Sequence, residues 1–142
     1  MMKPYELKFE VDGDDFSSAG EASGHVKKTL KALGYSPETI RRVTVAMYEA
    51  EINMVIHANG GVITTWITPE EITAEFKDQG PGIPNVELAM QEGWSTASDA
   101  ARNLGFGAGM GLPNIKKYTD EMKIDTVVGE GTTVTMKIKI SK

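Results

Sequence analysis

The sequence contains no cysteine, which removes disulfides, thiolate metal sites and thiol nucleophiles together. Its two histidines, His25 and His57, stand far apart in the chain and make a poor metal set. Positive charge is not in excess: 15 Lys and Arg face 20 Asp and Glu, and a net charge of -5 argues against a protein held to nucleic acid by phosphate contacts. No stretch approaches ~18 consecutive apolar residues, so no membrane span is expected. The opening MMKPYELKFEV alternates rather than running apolar, unlike a signal peptide. A cytoplasmic location is the default expectation. Gly-Lys-Ser/Thr is absent, which excludes a P-loop. What is present is 142 residues at 40% hydrophobic and 25% charged, the make-up of a single globular domain.

The periodicities change along the chain. Tyr5, Leu7, Phe9 and Val11 alternate with charged residues, the pattern of a half-buried strand. A helix is expected next, ending at Leu33, with Phe16, Ala19, Ala22, Val26, Leu30 and Leu33 inward and Gly34 as its C-terminal cap. Ser36-Pro37-Glu38 signals a second helix, running to about Ala58. On it Val45, Glu49, Ile52, Asn53 and Ile56 share a face, so Glu49 and Asn53 interrupt an apolar stripe. Glu51 points nearly the other way and reads as solvated. Residues 62–68 and 72–78 form a hairpin of two strands, and 86–91 a short helix. A helix after Gly111 is followed by strands at 122–128 and from Thr132, joined at Gly129-Glu130-Gly131. The mixture predicts an α+β two-layer sandwich, with helices on one face of a mixed, largely antiparallel sheet.

Three features carry chemistry. Glu49 and Asn53, four apart on a helix, project side by side. An asparagine carbonyl suits Mg²⁺, and a glutamate suits a proton-abstracting base. Asp78 keeps the apolar parity of Ile72, Ala74 and Phe76, which turns its carboxylate toward the helix layer, as an acceptor for an exocyclic amine. Gly80 and Gly82 follow it. Gly107-Ala108-Gly109-Met110-Gly111 then opens a helix, where glycines let N–H groups approach a phosphate. Each alone has a plainer reading: polar residues hydrogen-bonded in a core, a strand ending in an Asp-capped turn, a glycine-rich loop. The polar stretch at about 93–108 reads as a lid.

Taken in order, Glu49-x-x-x-Asn53, Asp78-x-Gly80-x-Gly82, Gly107-x-Gly109-x-Gly111 and Gly131-Thr132 resemble the GHKL, or Bergerat-fold, ATP-binding family. That family spans gyrase, a class of heat-shock chaperones, histidine kinases and mismatch-repair ATPases. Within it, DQGPGIPNVELAMQ and Gly93-Trp94-Ser95-Thr96 are most similar to the small anti-sigma serine/threonine kinases. The resemblance covers nearly the whole chain and implies one ATP-binding kinase domain over 1–142. It implies Glu49 as catalytic base, Asn53 as Mg²⁺ ligand and Asp78 as adenine contact. Gly80 and Gly82 would line the base pocket, Gly107, Gly109 and Gly111 would hold phosphates, and Thr132 would support the adenine site. His57 is expected to be structural, and Arg102 a solvated loop charge. Residues 97–104 lengthen the lid relative to the switch kinases, which bears on lid closure and partner choice. No histidine-bearing dimerisation helix precedes the domain, so a complete sensor histidine kinase is not expected. The implied partner is a STAS-type anti-sigma antagonist, with room for a sigma factor, a PP2C-type phosphatase or a second copy of the chain. A nucleotide-dependent binding module and a slow ATPase are the rival functions.

Overall fold

The computed structural model describes residues 5–12, 20–57, 60–80 and 111–140. Among them the elements run β1 (Tyr5–Asp12), α1 (Glu21–Ala32), α2 (Pro37–His57), β2 (Gly60–Ile67), β3 (Glu71–Lys77), α3 (Gly111–Tyr118), β4 (Glu121–Val127) and β5 (Gly131–Lys139). The five strands lie in the order β1-β2-β3-β5-β4, and every pairing is antiparallel. The largely antiparallel sheet expected from the sequence is therefore antiparallel throughout its described part.

Register turns the alternating pattern into a layer. Phe9, Ile63, Phe76, Val134 and Ile124 stand opposite one another across all five strands. Leu7, Thr65, Ala74, Met136 and Met122 form the next row. Because side chains alternate with period two, the other face is left to Glu6, Lys8, Glu10, Glu75 and Lys77. The apolar face is covered by α2, whose Ile40, Val43, Met47, Ala50 and Met54 join one core with Ile63, Ile72, Phe76 and Met136. Burying each large side chain there contributes about 1.5–3 kcal/mol. Ala22, Val26 and Leu30 bring α1 to this core, and Ile115 brings α3.

Helix ends follow their local chemistry. The Ser36 hydroxyl accepts the Thr39 N–H at 3.2 Å, and Pro37 supplies the fixed φ of a first helical residue. At the end of α1, Gly34 takes φ +82°, and its N–H and that of Tyr35 reach back to the carbonyls of Lys31 and Leu30, both at 3.1 Å. This is the glycine cap the sequence signalled.

Two expectations need correction, and one is not tested: the first described helix begins at Glu21, and Phe16 and Ala19 lie outside the described residues. Leu33 is the C-terminal cap and is 52% exposed, because the chain leaves the helix there before it can turn inward. Finally, the apolar stripe of α2 is not interrupted. It runs through Ile40, Val43, Met47, Ala50 and Met54, while Glu49 and Asn53 sit half-buried on its flank.

Glu51 also departs from its expected solvated place, at 2% exposure. Its Oε2 accepts the N–H groups of Gly20 at 2.9 Å and Ala22 at 3.2 Å, and its Oε1 accepts that of Ser23 at 3.0 Å. The start of a helix has N–H groups without internal partners and a positive dipole end, and α1 has no side-chain cap of its own. A carboxylate borrowed from α2 supplies both needs. Glu51→Ala should therefore lower the unfolding free energy by about 2–4 kcal/mol, since two buried donors and one half-buried one lose their acceptor. Urea denaturation followed by circular dichroism measures this.

Candidate functional site

Three chain segments close together at one end of the sheet. The Asp78 N–H donates to the Thr132 carbonyl at 2.9 Å, and the Thr132 N–H donates to Asp78 Oδ1 at 3.0 Å. The same Oδ1 accepts the Gly80 N–H at 3.0 Å. This clasp ties the exit of β3 to the entry of β5, and among the described residues nothing donates to Oδ2 of the carboxylate. Burial pushes the Asp78 carboxyl above its ordinary value, opposed by the two N–H bonds.

The clasp depends on two glycines. A Cβ on Gly131 would strike the Asp78 carbonyl oxygen and come within 3.0 Å of Gln79 Cα. A Cβ on Gly61 would strike the Lys77 carbonyl and the Met54 methyl, and come within 3.0 Å of Asp78 Cα. Met54 follows Asn53 on α2, so that turn of the helix and the Asp78 clasp meet at the same end of the sheet. Thr132 is 7% exposed, and its hydroxyl lies 2.9 Å from that of Thr126, directly across the β4–β5 pairing. Thr126 also donates to the Gly131 carbonyl at 3.2 Å.

On its other flank α2 meets α3. The Asn114 amide donates from Nδ2 to Glu49 Oε1 at 3.3 Å. Asn53 lies one turn further along the same flank, half-buried. Gly111, the last glycine of the second glycine-rich turn, is the first residue of α3. Thus Glu49, Asn53, Asp78, Gly80, Gly111 and Thr132 are described, and they divide between the α2–α3 flank and the β3–β5 clasp. Gly82, Gly107, Gly109, Arg102, the lid at about 93–108 and the short helix at 86–91 lie outside the described residues, as does the side chain of His57. Among the described residues no cluster of three or more His, Asp or Glu is placed to hold a metal ion, and no helix is long and apolar enough to cross a membrane.

A family model for the histidine kinase-like ATPase domain matches residues 15–138. The chain belongs to that family. It is 33% identical over 114 residues to the serine/threonine-protein kinase RsbT of Bacillus subtilis, covering 76% of this chain and 78% of that one. It is 33% identical over 141 residues to an anti-sigma F factor of Clostridium acetobutylicum, covering 96% and 93%. These relatives place it among the serine/threonine-kinase and anti-sigma-factor members of the family. Its fold is similar to the crystal structure of the RsbU and RsbW domains of a Mycobacterium tuberculosis protein, with a TM-score of 0.67 at 18% identity, over 97% of this chain and 33% of that one.

Within this ATPase-family fold, reasoning from the sequence missed three residues: Glu51, Asn114 and Thr126. Thr126 had a signal, since hairpin register around Gly129-Glu130 sets it opposite Thr132. Asn114 had only its place in the first turn after the glycines. The buried partners of Glu51 had no local signal.

Two neighbouring glycines of the β4–β5 turn differ in what holds them. Gly129 has φ +84° and open space where a Cβ would stand, with nothing within 4 Å, whereas Gly131 has φ +138° and faces the Asp78 backbone. Gly129→Ala should cost about 1–2 kcal/mol of backbone strain, and Gly131→Ala about 3 kcal/mol or more, because the clasp must also open. Thermal unfolding of the two variants measures the difference; equal losses would show that Gly131 is needed for its φ alone.

Proposed function

We propose that this chain is an ATP-dependent serine/threonine protein kinase of the partner-switching kind, phosphorylating a STAS-type antagonist domain in the control of a sigma factor. The observation that carries this reading is the shared use of α2. One flank presents Glu49 and Asn53 beside the start of α3, and the end of the same helix packs, through Met54 and Gly61, against the Asp78 clasp.

The roles are those that the family resemblance implies, and the arrangement supports them. Asp78 Oδ2 accepts the exocyclic amine of adenine, with Oδ1 already committed to backbone N–H groups. Gly80 and Gly82 leave room for the base, and Thr132 supports it. The glycines at 107, 109 and 111 offer N–H groups to the phosphates at the start of α3. The donor set fits Mg²⁺: Asn53 supplies one hard amide oxygen, and that ion keeps phosphate oxygens and water as its other ligands. When bound, Mg²⁺ neutralises charge on the transferring phosphoryl group. Glu49 takes the proton of a serine or threonine hydroxyl as its oxygen forms a bond to the γ-phosphorus. The bond to the bridging oxygen breaks, and its electron pair leaves with ADP. The new phosphate charge weakens one protein contact and favours another. Such a protein works in the cytoplasm, where ATP and sigma factors are.

Two experiments test this. Incubation with γ-labelled ATP, Mg²⁺ and STAS-type domains encoded near this chain should give a labelled phosphoprotein. Glu49→Ala should reduce transfer by about 10²–10⁴-fold with ATP binding retained. A full-rate Glu49→Ala protein would remove the assigned base, and phosphate release with no phosphoprotein would favour a slow ATPase. The pH dependence is specific to Asp78. Its raised carboxyl adds stability at low pH that is lost as pH rises through its folded value. Adenine binding needs the ionised form and runs the opposite way. ATP affinity by calorimetry should therefore fall as pH drops, with a midpoint above the ordinary 3.8 of an aspartate. Asp78→Asn should bind weakly and without that acid limb.

A further inference from the structure

We infer that Asn114 is a positioning residue for phosphoryl transfer: its amide holds Glu49 in the orientation from which the carboxylate takes the acceptor's proton. The inference rests on the kinase reading above and adds a residue from a different helix to it.

The bond runs from Asn114 Nδ2 to Glu49 Oε1, at 3.3 Å. An ionised carboxylate only accepts, so the NH₂ side of the amide must face it. Among the described residues nothing else donates to this carboxylate, and this contact is the one that holds its rotamer there. That contact engages Oε1 and leaves Oε2 for the incoming hydroxyl. A glutamate on a helix flank has three rotatable bonds and, without such a partner, spreads over several rotamers. Proton abstraction requires the base within hydrogen-bond reach of the hydroxyl, and displacements near 1 Å can cost about 10²-fold in rate.

Asn114 is itself well held. It is half-buried in the first turn of α3, next to Ile115, which is fully buried in the core. The helix that carries it starts at Gly111, where the second glycine-rich turn ends. The amide thus couples the base on α2 to the element that follows the phosphate-binding glycines. Any displacement of α3 would carry Asn114 with it and release Glu49.

The test is steady-state kinetics with γ-labelled ATP, Mg²⁺ and the STAS-type domain labelled in the assay above. Asn114→Ala should lower kcat about 10- to 100-fold with the ATP dissociation constant unchanged. Asn114→Asp keeps the shape, removes the donor and sets a like charge against Glu49, so its kcat should fall at least as far. In a Glu49→Gln background, adding Asn114→Ala should cost nothing further, because a residue acting through the base has nothing left to orient. A general structural role would instead depress both backgrounds by the same factor, and that result overturns the inference. So does wild-type kcat in either Asn114 variant. Full activity in Glu49→Gln alone would instead refute the kinase assignment of Glu49, a distinguishable failure.

Discussion

The Asp78–Thr132 clasp is the constraint around which the nucleotide end of the molecule is built. Two strands that pair normally along β3 and β5 continue for one residue past the end of β3. There a backbone pair and a carboxylate bond replace the ordinary ladder. That extra step is possible only because Gly131 and Gly61 present no side chain to the Asp78 backbone. The carboxylate gains two N–H donors and loses water, and the loss of water is the larger effect, so its acid form is favoured relative to an exposed aspartate. A half-buried acceptor with one oxygen still available results. The glycines are therefore steric requirements of the site as much as turn formers.

Two glutamates two residues apart on α2 show how place decides the role of a carboxylate. A helix turns about 100° per residue, so Glu49 and Glu51 face widely different neighbours. Glu51 meets the N-terminus of α1 and is fully engaged by three backbone donors, with the dipole of α1 offsetting the cost of its burial. Glu49 meets α3, takes one amide among the described residues and stays half-buried. The first fixes where α1 sits on α2, and the second is available for chemistry. Helix α2 is thus the common support, with a structural acid on one side and the proposed base on the other.

Much of this was legible because the signals are local. The strands alternate cleanly, and the register of β2 with β3 and of β4 with β5 follows from their hairpins. Ser36-Pro37 and Gly34 mark helix ends through bonds made within a few residues. The pairing of Glu49 with Asn53 needs only helical spacing, and the order of the glycine motifs needs only the chain. What could not be read depends on contacts between distant segments. Glu51 bonds residues 28 to 31 positions away, and Asn114 bonds one 65 away. No periodicity encodes such partners. The apolar stripe of α2 was misplaced for a related reason. Val45 is half-buried and Ile52, though buried, stands outside the main cluster, because the face against the sheet is set by how Ile40, Val43, Met47 and Met54 fit its rows.

The two halves of the site are joined by different kinds of contact, and this bears on how the molecule works. The clasp is made of backbone groups and sterically obligatory glycines, which have few alternatives within the folded sheet. At Glu49 the described α2–α3 contact is one side-chain bond, set within a broad packing of the two helices around the buried Ile115. Neutral-to-charged hydrogen bonds of this sort contribute about 1.5–3 kcal/mol and can be exchanged for others at modest cost. On the proposed roles, recognition of the base ring is therefore built into the sheet. On the same proposed roles, alignment of the carboxylate rests on one exchangeable side-chain bond, so nucleotide can be held by a molecule in which transfer is still conditional.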